Sequence, residues 1–270
     1  MNKLKVFISS EQKSMFRNRT FFLFGLLFTF LLMTITSIQL FSLPPTASFT
    51  RFSASILNVL LFLLPLFTLT IGSLSISTDV ESKWFSLMKT YPLNMMSYTT
   101  GKLISLFFSF CTMLIIGFGF VILFYSLQRG HHLDWLLFFL SIGTVAIFSS
   151  LSILIGCLAT NRIHSLSLSL TVWAFFLLIY DYMIMSLGTI VSGNLLKNMV
   201  IVLTFTNPAE WLRTGFMIYS GYSSTLGPVY YEFSSFFLSP IGMTVYVIIS
   251  GLWVVIPIFI SNFILKRKES

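Results

Sequence analysis

Six stretches of the chain run for about 20 residues with almost no charge. They lie near Phe21 to Phe41, Ile56 to Ser77, Leu103 to Leu127, Trp135 to Thr160, Ser165 to Ile190 and Ile241 to Leu265. A hydrocarbon core about 30 Å thick is crossed by roughly 20 apolar residues in α-helix, so each stretch predicts one membrane span. In lipid every backbone donor and acceptor needs an internal partner, which a helix supplies and an open strand does not. None of the runs shows the period-two alternation of a barrel strand. The pattern predicts an all-α polytopic membrane protein with six transmembrane helices, read as one transmembrane domain over residues 1–270.

Three shorter patterns lie between these runs. Over residues 1–20, Leu4, Phe7, Ile8 and Met15 fall near one helical face, with Lys3, Lys5, Gln12 and Lys13 elsewhere. This predicts an amphipathic elbow helix lying on an anionic leaflet. After the second span, Thr78-Asp79-Val80-Glu81 has the spacing of a capping box. Trp84, Leu87, Met88 and Tyr91 then recur at i, i+3, i+4 and i+7, and Pro92 follows. Together they predict a short helix over 79–92 with the acids Asp79 and Glu81 at the positive end of its dipole. Its apolar stripe suits burial against neighbouring spans and suits a docked partner, and the residues alone leave both open.

The third pattern is the segment 191–240. Met199 to Thr206 is apolar but only about eight residues, too short to cross. Asn207-Pro208 reads as an N-cap followed by proline at the first helical position, opening a helix through Glu210, Trp211, Leu212 and Arg213 toward Gly221. An interfacial or re-entrant hairpin on the outer side is expected. Glu210 and Arg213, three apart, are expected to pair on it in a structural role.

Composition excludes a soluble core: 56% of the 270 residues are hydrophobic and 9% charged, against about 25% charged in soluble domains. The net charge of +8 does not indicate nucleic acid, because the cations sit at the ends of apolar runs and not in a patch with aromatic platforms. Twelve of the sixteen Lys and Arg fall on one side: Lys3, Lys5, Lys13, Arg17, Arg19, Lys83, Lys89, Lys102, Arg162, Lys266, Arg267 and Lys268. Arg51, Arg129, Lys197 and Arg213 fall on the other. The positive-inside rule then puts both termini in the cytoplasm, in a multi-pass protein of the cytoplasmic (inner) membrane. The first run is longer than a signal-peptide core and lacks a small-residue cleavage site, so it is read as a retained span. Cys111 and Cys157 fall within spans and imply no disulfide.

Catalytic motifs are missing. The one Gly-Lys pair, Gly101-Lys102, is followed by Leu103 and has Met96 where a phosphate loop needs Gly. Neither HExxH nor GxSxG occurs, and ionisable residues are nearly absent from the spans, against an intramembrane protease or proton relay. No catalytic residue, bound cofactor or metal site is expected on this chain. His131 and His132 read as a solvated turn, and Met183 and Met185 as packing. The exception is Asp181 in the fifth run, a carboxylate costly enough in lipid to be a functional candidate, or else a structural group hydrogen-bonded to a neighbouring helix.

Six spans, an amphipathic elbow and a helix after span two resemble ABC-2 type transporter permeases over essentially the whole chain. In that family this segment reads Glu-x-Glu-x-Gly-Thr, then leucines, then proline, and ends in Gly-Lys opening span three. Here it stands as Asp79-Val80-Glu81-Ser82-Lys83-Trp84, then Leu87 and Met88, then Pro92, with Gly101-Lys102 before Leu103. Asp replaces the first Glu, and Lys83-Trp84 stands where Gly-Thr is usual. Within the family, Trp173 to Asp181 followed by Asn207-Pro208-Ala209-Glu210-Trp211-Leu212-Arg213 is similar to the permease that serves nitrous-oxide reductase maturation. The resemblance implies a homodimer driven by separate cytoplasmic ATPase subunits that carry ATP and Mg. It makes 79–92 the coupling helix, with Trp84, Leu87, Met88 and Tyr91 in the ATPase groove, and implies an extracytoplasmic partner in copper or sulfur supply. Competing classes are export of a lipid, peptide or drug, an ion-driven transporter, and a membrane scaffold or immunity-type protein.

Overall fold

Long apolar runs with no charge to solvate leave helix as the low-energy state in lipid, and every regular element among the described residues is helical. The computed structural model describes residues 3–42, 48–82, 94–126, 135–191 and 193–269. Helix α1 (Lys3–Arg17) is the elbow, and α2 (Arg19–Ser42), α3 (Ser48–Glu81), α4 (Met95–Ser126) and α5 (Trp135–Leu158) are spans one to four. Span five is composite: α6 (Arg162–Ala174), a π turn (Phe175–Ile179) and α7 (Tyr180–Ile190). The short helices α8 (Gly193–Thr206), α9 (Pro208–Tyr219) and α10 (Tyr231–Phe237) follow, and α11 (Pro240–Glu269) is span six. Six of these helical stretches are long and apolar enough to cross a membrane.

Helices in lipid gain little from apolar contact alone, so close approach and hydroxyl bridges hold them together. A Cβ on Gly156 of α5 would lie 2.8 Å from the Ser73 carbonyl oxygen of α3, so only glycine permits this crossing. The Ser73 and Ser169 hydroxyls lie 2.7 Å apart, joining α3 to α6, and Trp173 Nε1 donates to the Phe62 carbonyl at 3.0 Å. Ser150 Oγ reaches the Trp253 carbonyl at 3.1 Å, tying α5 to α11. Phe24, Phe67 and Phe110 fill the space between α2, α3 and α4, with Phe24 and Phe67 stacked at 4.3 Å. Helix α5 is the pillar: 67% of its most apolar stretch is buried against protein, against 11% for α11. Span six instead turns Ile241, Val247, Ile256 and Phe263 outward, as a lipid-facing helix must.

Two expectations are corrected. Thr78-Asp79-Val80-Glu81 does not open a helix; it is the last turn of α3, where Ser82 N–H still bonds the Thr78 carbonyl at 3.0 Å. Asp79 and Glu81 therefore sit at the negative end of a helix dipole, an unfavourable place that needs cations from elsewhere. Of the expected helix over 79–92, residues 83–92 lie outside the described residues. The elbow forms, but its apolar stripe is spent on protein. Phe7 meets Tyr98 at 5.7 Å, Met15 is buried, and a Cβ on Gly101 would lie 2.7 Å from the Phe7 ring. The start of α4, not the leaflet, covers that face.

Candidate functional site

Two charged clusters stand out, one at each end of the bundle. The first gathers at Lys102, in the second turn of α4, whose side chain is 3% exposed. Its ammonium lies 2.7 Å from Glu11 Oε2 of the elbow, 2.9 Å from Asp79 Oδ2 at the end of α3, and 2.9 Å from Ser75 Oγ. Two of its N–H groups donate hydrogen bonds, to Glu11 and to Ser75, and Asp79 adds a second ion pair. Tyr98, one turn before Lys102, donates its hydroxyl to Asp79 Oδ2 at 2.7 Å. A buried ammonium is tolerable only when paired and hydrogen-bonded, and Lys102 has two carboxylate partners and two hydrogen bonds. A cavity of about 330 Å³ opens beside the cluster, lined by Glu11, Asn18, Thr78, Asp79, Lys102 and Arg162. Arg162, in the first turn of α6, pairs with Glu81 at 3.1 Å on the exposed rim. These contacts put the elbow, the end of α3, the start of α4 and the α5–α6 turn at one end of the bundle.

The second cluster is built on the π turn. In an α-helix Tyr180 N–H would bond the Phe176 carbonyl; in the π turn it bonds Phe175 O instead, which frees Phe176 O. Asn207 takes up the freed acceptor, its Nδ2 donating at 2.7 Å. The same side chain caps α9, its Oδ1 accepting from Ala209 N at 2.9 Å, with Pro208 at the first helical position as expected. Tyr180 lies 2.9 Å from Thr206 Oγ1 and donates to the Leu203 carbonyl of α8. These bonds fix span five against the α8–α9 hairpin. They bring Asp181 to Arg213, 3.6 Å from carboxylate to guanidinium, while Arg213 holds Glu210 at 2.6 Å. Burial raises the Glu210 carboxyl above its ordinary value, Arg213 opposes this, and Asp181 adds to it. Arg213 Nε is buried without a partner among the described residues.

Behind this cluster α9 is anchored by Trp211. Its ring stacks on Tyr246 of α11 at 4.7 Å, and its Nε1 donates to Ser250 Oγ at 2.9 Å. Phe205, Phe233 and Phe237 complete an aromatic plug. The hairpin is thus wedged against span six rather than loose on the surface.

The sequence-predicted residues divide accordingly. Asp181, Asn207, Pro208, Glu210 and Arg213 gather at one end of the bundle, and Asp79 and Glu81 reach separate partners at the other. Trp84, Leu87, Met88, Tyr91 and Pro92, with His131 and His132, lie outside the described residues. Sequence reasoning missed Glu11, Ser75, Tyr98 and Lys102. The available signals were Glu11, the one acid in residues 1–20, on the face of Phe7 and Ile8, and Gly101-Lys102, read as a failed phosphate loop and as the family's Gly-Lys before span three but not as an ion-pair partner. Among the described residues no three His, Cys, Asp or Glu side chains converge as metal ligands would.

Six apolar spans, an elbow clamped to the bundle and a hairpin wedged against span six describe the membrane part of a transporter. Residues 2–270 match the model of the ABC-2 family transporter proteins, and the chain belongs to that family. It is the transmembrane subunit of an ABC transporter, a class that generally pairs with ABC ATPase subunits. No curated protein sequence matches the chain.

Proposed function

We propose that the chain is the permease of an ATP-driven exporter, acting as two copies in the cytoplasmic membrane and driven by separate ATPases that bind ATP and Mg. The Lys102 junction carries this reading. It joins the elbow, the end of α3 from which the segment to Pro92 emerges, and the start of α4 that receives it. A push on that segment moves three elements as one body, which is how a small displacement at a contact becomes a reorientation of spans. Both termini and the junction face the cytoplasm, and Trp84, Leu87, Met88 and Tyr91 are the anchors in the ATPase groove, as aromatic and aliphatic residues tend to be. Leu87→Asp should insert normally yet lose ATPase association and ATPase stimulation in reconstituted vesicles. If association and stimulation persist, the docking assignment is wrong. Lys102→Met should keep association and lose stimulation.

The outer cluster favours a second, narrower reading: supply of copper or sulfur for nitrous-oxide reductase maturation, with an extracytoplasmic partner. Its support is that the span-five acid and the Asn-Pro-x-Glu-x-x-Arg motif, remote in sequence, meet at Asp181 and Arg213. Reductase from a permease-deletion strain should lack its copper cluster, and the Asp181→Asn permease should restore it poorly. Full copper loading without the permease would overturn this reading and leave the exporter assignment standing.

A further inference from the structure

Among the described residues none covers the face of α1 turned away from Lys102, where Ser10, Lys13 and Arg17 are exposed. Ser10, Lys13 and Arg17, at i, i+3 and i+7, lie roughly opposite Glu11 and Met15 on the helix. With Ser14 and Asn18 they line an open cleft of about 540 Å³. At the elbow's bend this cleft meets a second one of about 340 Å³, lined by Phe16, Arg17, Asn18, Arg19, Phe22 and Leu23, so that Arg17 and Asn18 belong to both. Asn18 fixes the bend, its Oδ1 accepting from Thr20 N at 2.9 Å as the cap of α2. The first cleft is polar and cationic; the second is cationic at its mouth and apolar beyond. Among the described residues no carboxylate lines either. Lys13, Arg17 and Arg19 have no ion-pair partner among the described residues, although Lys102, Arg162, Lys197 and Arg213 each have one.

We propose that this bend is a binding site for one anionic phospholipid, with its headgroup phosphate held by Lys13, Arg17 and Arg19 and an acyl chain laid along Phe16, Phe22 and Leu23. Three unpaired cations select an anion. The apolar half is built on the first turn of a membrane span, so the occupant comes from the bilayer and not from solution. Since Phe7 and Met15 of the elbow's apolar stripe pack into the bundle, charge and this single acyl groove, more than insertion of the helix, tie the elbow to the leaflet. The site requires only that α2 cross the membrane and is independent of the transport reading.

Native mass spectrometry of the full-length permease, released from nanodiscs of phosphatidylcholine containing one-fifth phosphatidylglycerol, tests it. Wild type should retain one phosphatidylglycerol per chain. Arg17→Gln/Arg19→Gln should lower retention about tenfold or more. Lys266→Gln/Arg267→Gln, which removes the same charge elsewhere, should leave it unchanged. Phe22→Ser/Leu23→Ser should lose lipid with all cations in place. Should the double arginine variant fail to insert, Lys13→Gln gives the milder reading, a loss of severalfold. Unchanged retention in the elbow variants overturns the proposal, as does equal loss in the tail variant. Displacement of the lipid by glycerol 1-phosphate at matched concentration would reduce the site to a phosphate site and overturn the lipid assignment.

Discussion

At both ends of the bundle one cation stands between two carboxylates, Lys102 between Glu11 and Asp79 and Arg213 between Glu210 and Asp181, but the surroundings differ. At Lys102 both arms are short, 2.7 and 2.9 Å, and the lysine is almost fully buried. At Arg213 one arm is short and the other 3.6 Å long, Asp181 is 45% exposed, and one guanidinium N–H has no partner among the described residues. Coulomb attraction strengthens as water is excluded, so the first triad behaves as a clamp. The second has one firm contact and one that opens at little cost, which suits a part that changes during a cycle.

Removing each cation tests that contrast. Lys102→Met leaves two partly buried carboxylates facing each other and should cost roughly 3–5 kcal/mol, read as a large drop in thermal unfolding temperature in detergent. Adding Glu11→Gln should recover part of the loss; if the double variant is less stable than the single, the clamp description fails. Arg213→Met should cost less, about 1–3 kcal/mol, because Glu210 escapes by taking up a proton. The pH dependence follows from the same group. Burial raises the folded carboxyl above its ordinary 4.5, so the folded state binds the proton more tightly. The Glu210 contribution to stability is therefore greatest below 4.5 and declines as pH rises through the raised value. Glu210→Gln should remove that decline from the pH profile of unfolding.

Smaller effects sharpen the Arg213 end. Asp181→Asn should change stability by less than about 1 kcal/mol while impairing transport by about tenfold; normal transport at a normal melting temperature would show that the long arm has no role. Glu81→Gln breaks only the exposed pair with Arg162 and should shift stability by at most about 0.5 kcal/mol. An effect as large as that of Lys102→Met would mean that the rim, not the buried lysine, holds the inner end.

The spans were legible because unbroken apolar length has one explanation in a chain this poor in charge. The start of α9 was legible too, since an Asn-Pro cap is a local arrangement. The Thr78 box misled because the same spacing occurs inside a helix. What lets α3 run on is not local: Asp79 is compensated by Lys102 and Glu81 by Arg162, both far along the chain. Periodicity identified the elbow's apolar face but not its covering, which depends on Gly101 admitting Phe7. For Asp181 the cost of a carboxylate in a span was readable, but its partner was not. Arg213 already had a neighbour at i,i+3, and only the π turn and the hairpin bring in the second acid.

That π turn also gives span five a phase. It holds one residue more than regular α geometry would, so the same residues wound as α-helix advance everything beyond Ile179 by about 100°. Such a twist leaves α6 where it is, yet carries Tyr180 off Thr206 and Asp181 off Arg213 in one movement. The hydrogen bonds from Asn207 to the Phe176 carbonyl and from Tyr180 to the Leu203 carbonyl hold the present phase. A second azimuth of the segment beyond Ile179 would have to break both, and both end on the α8–α9 hairpin.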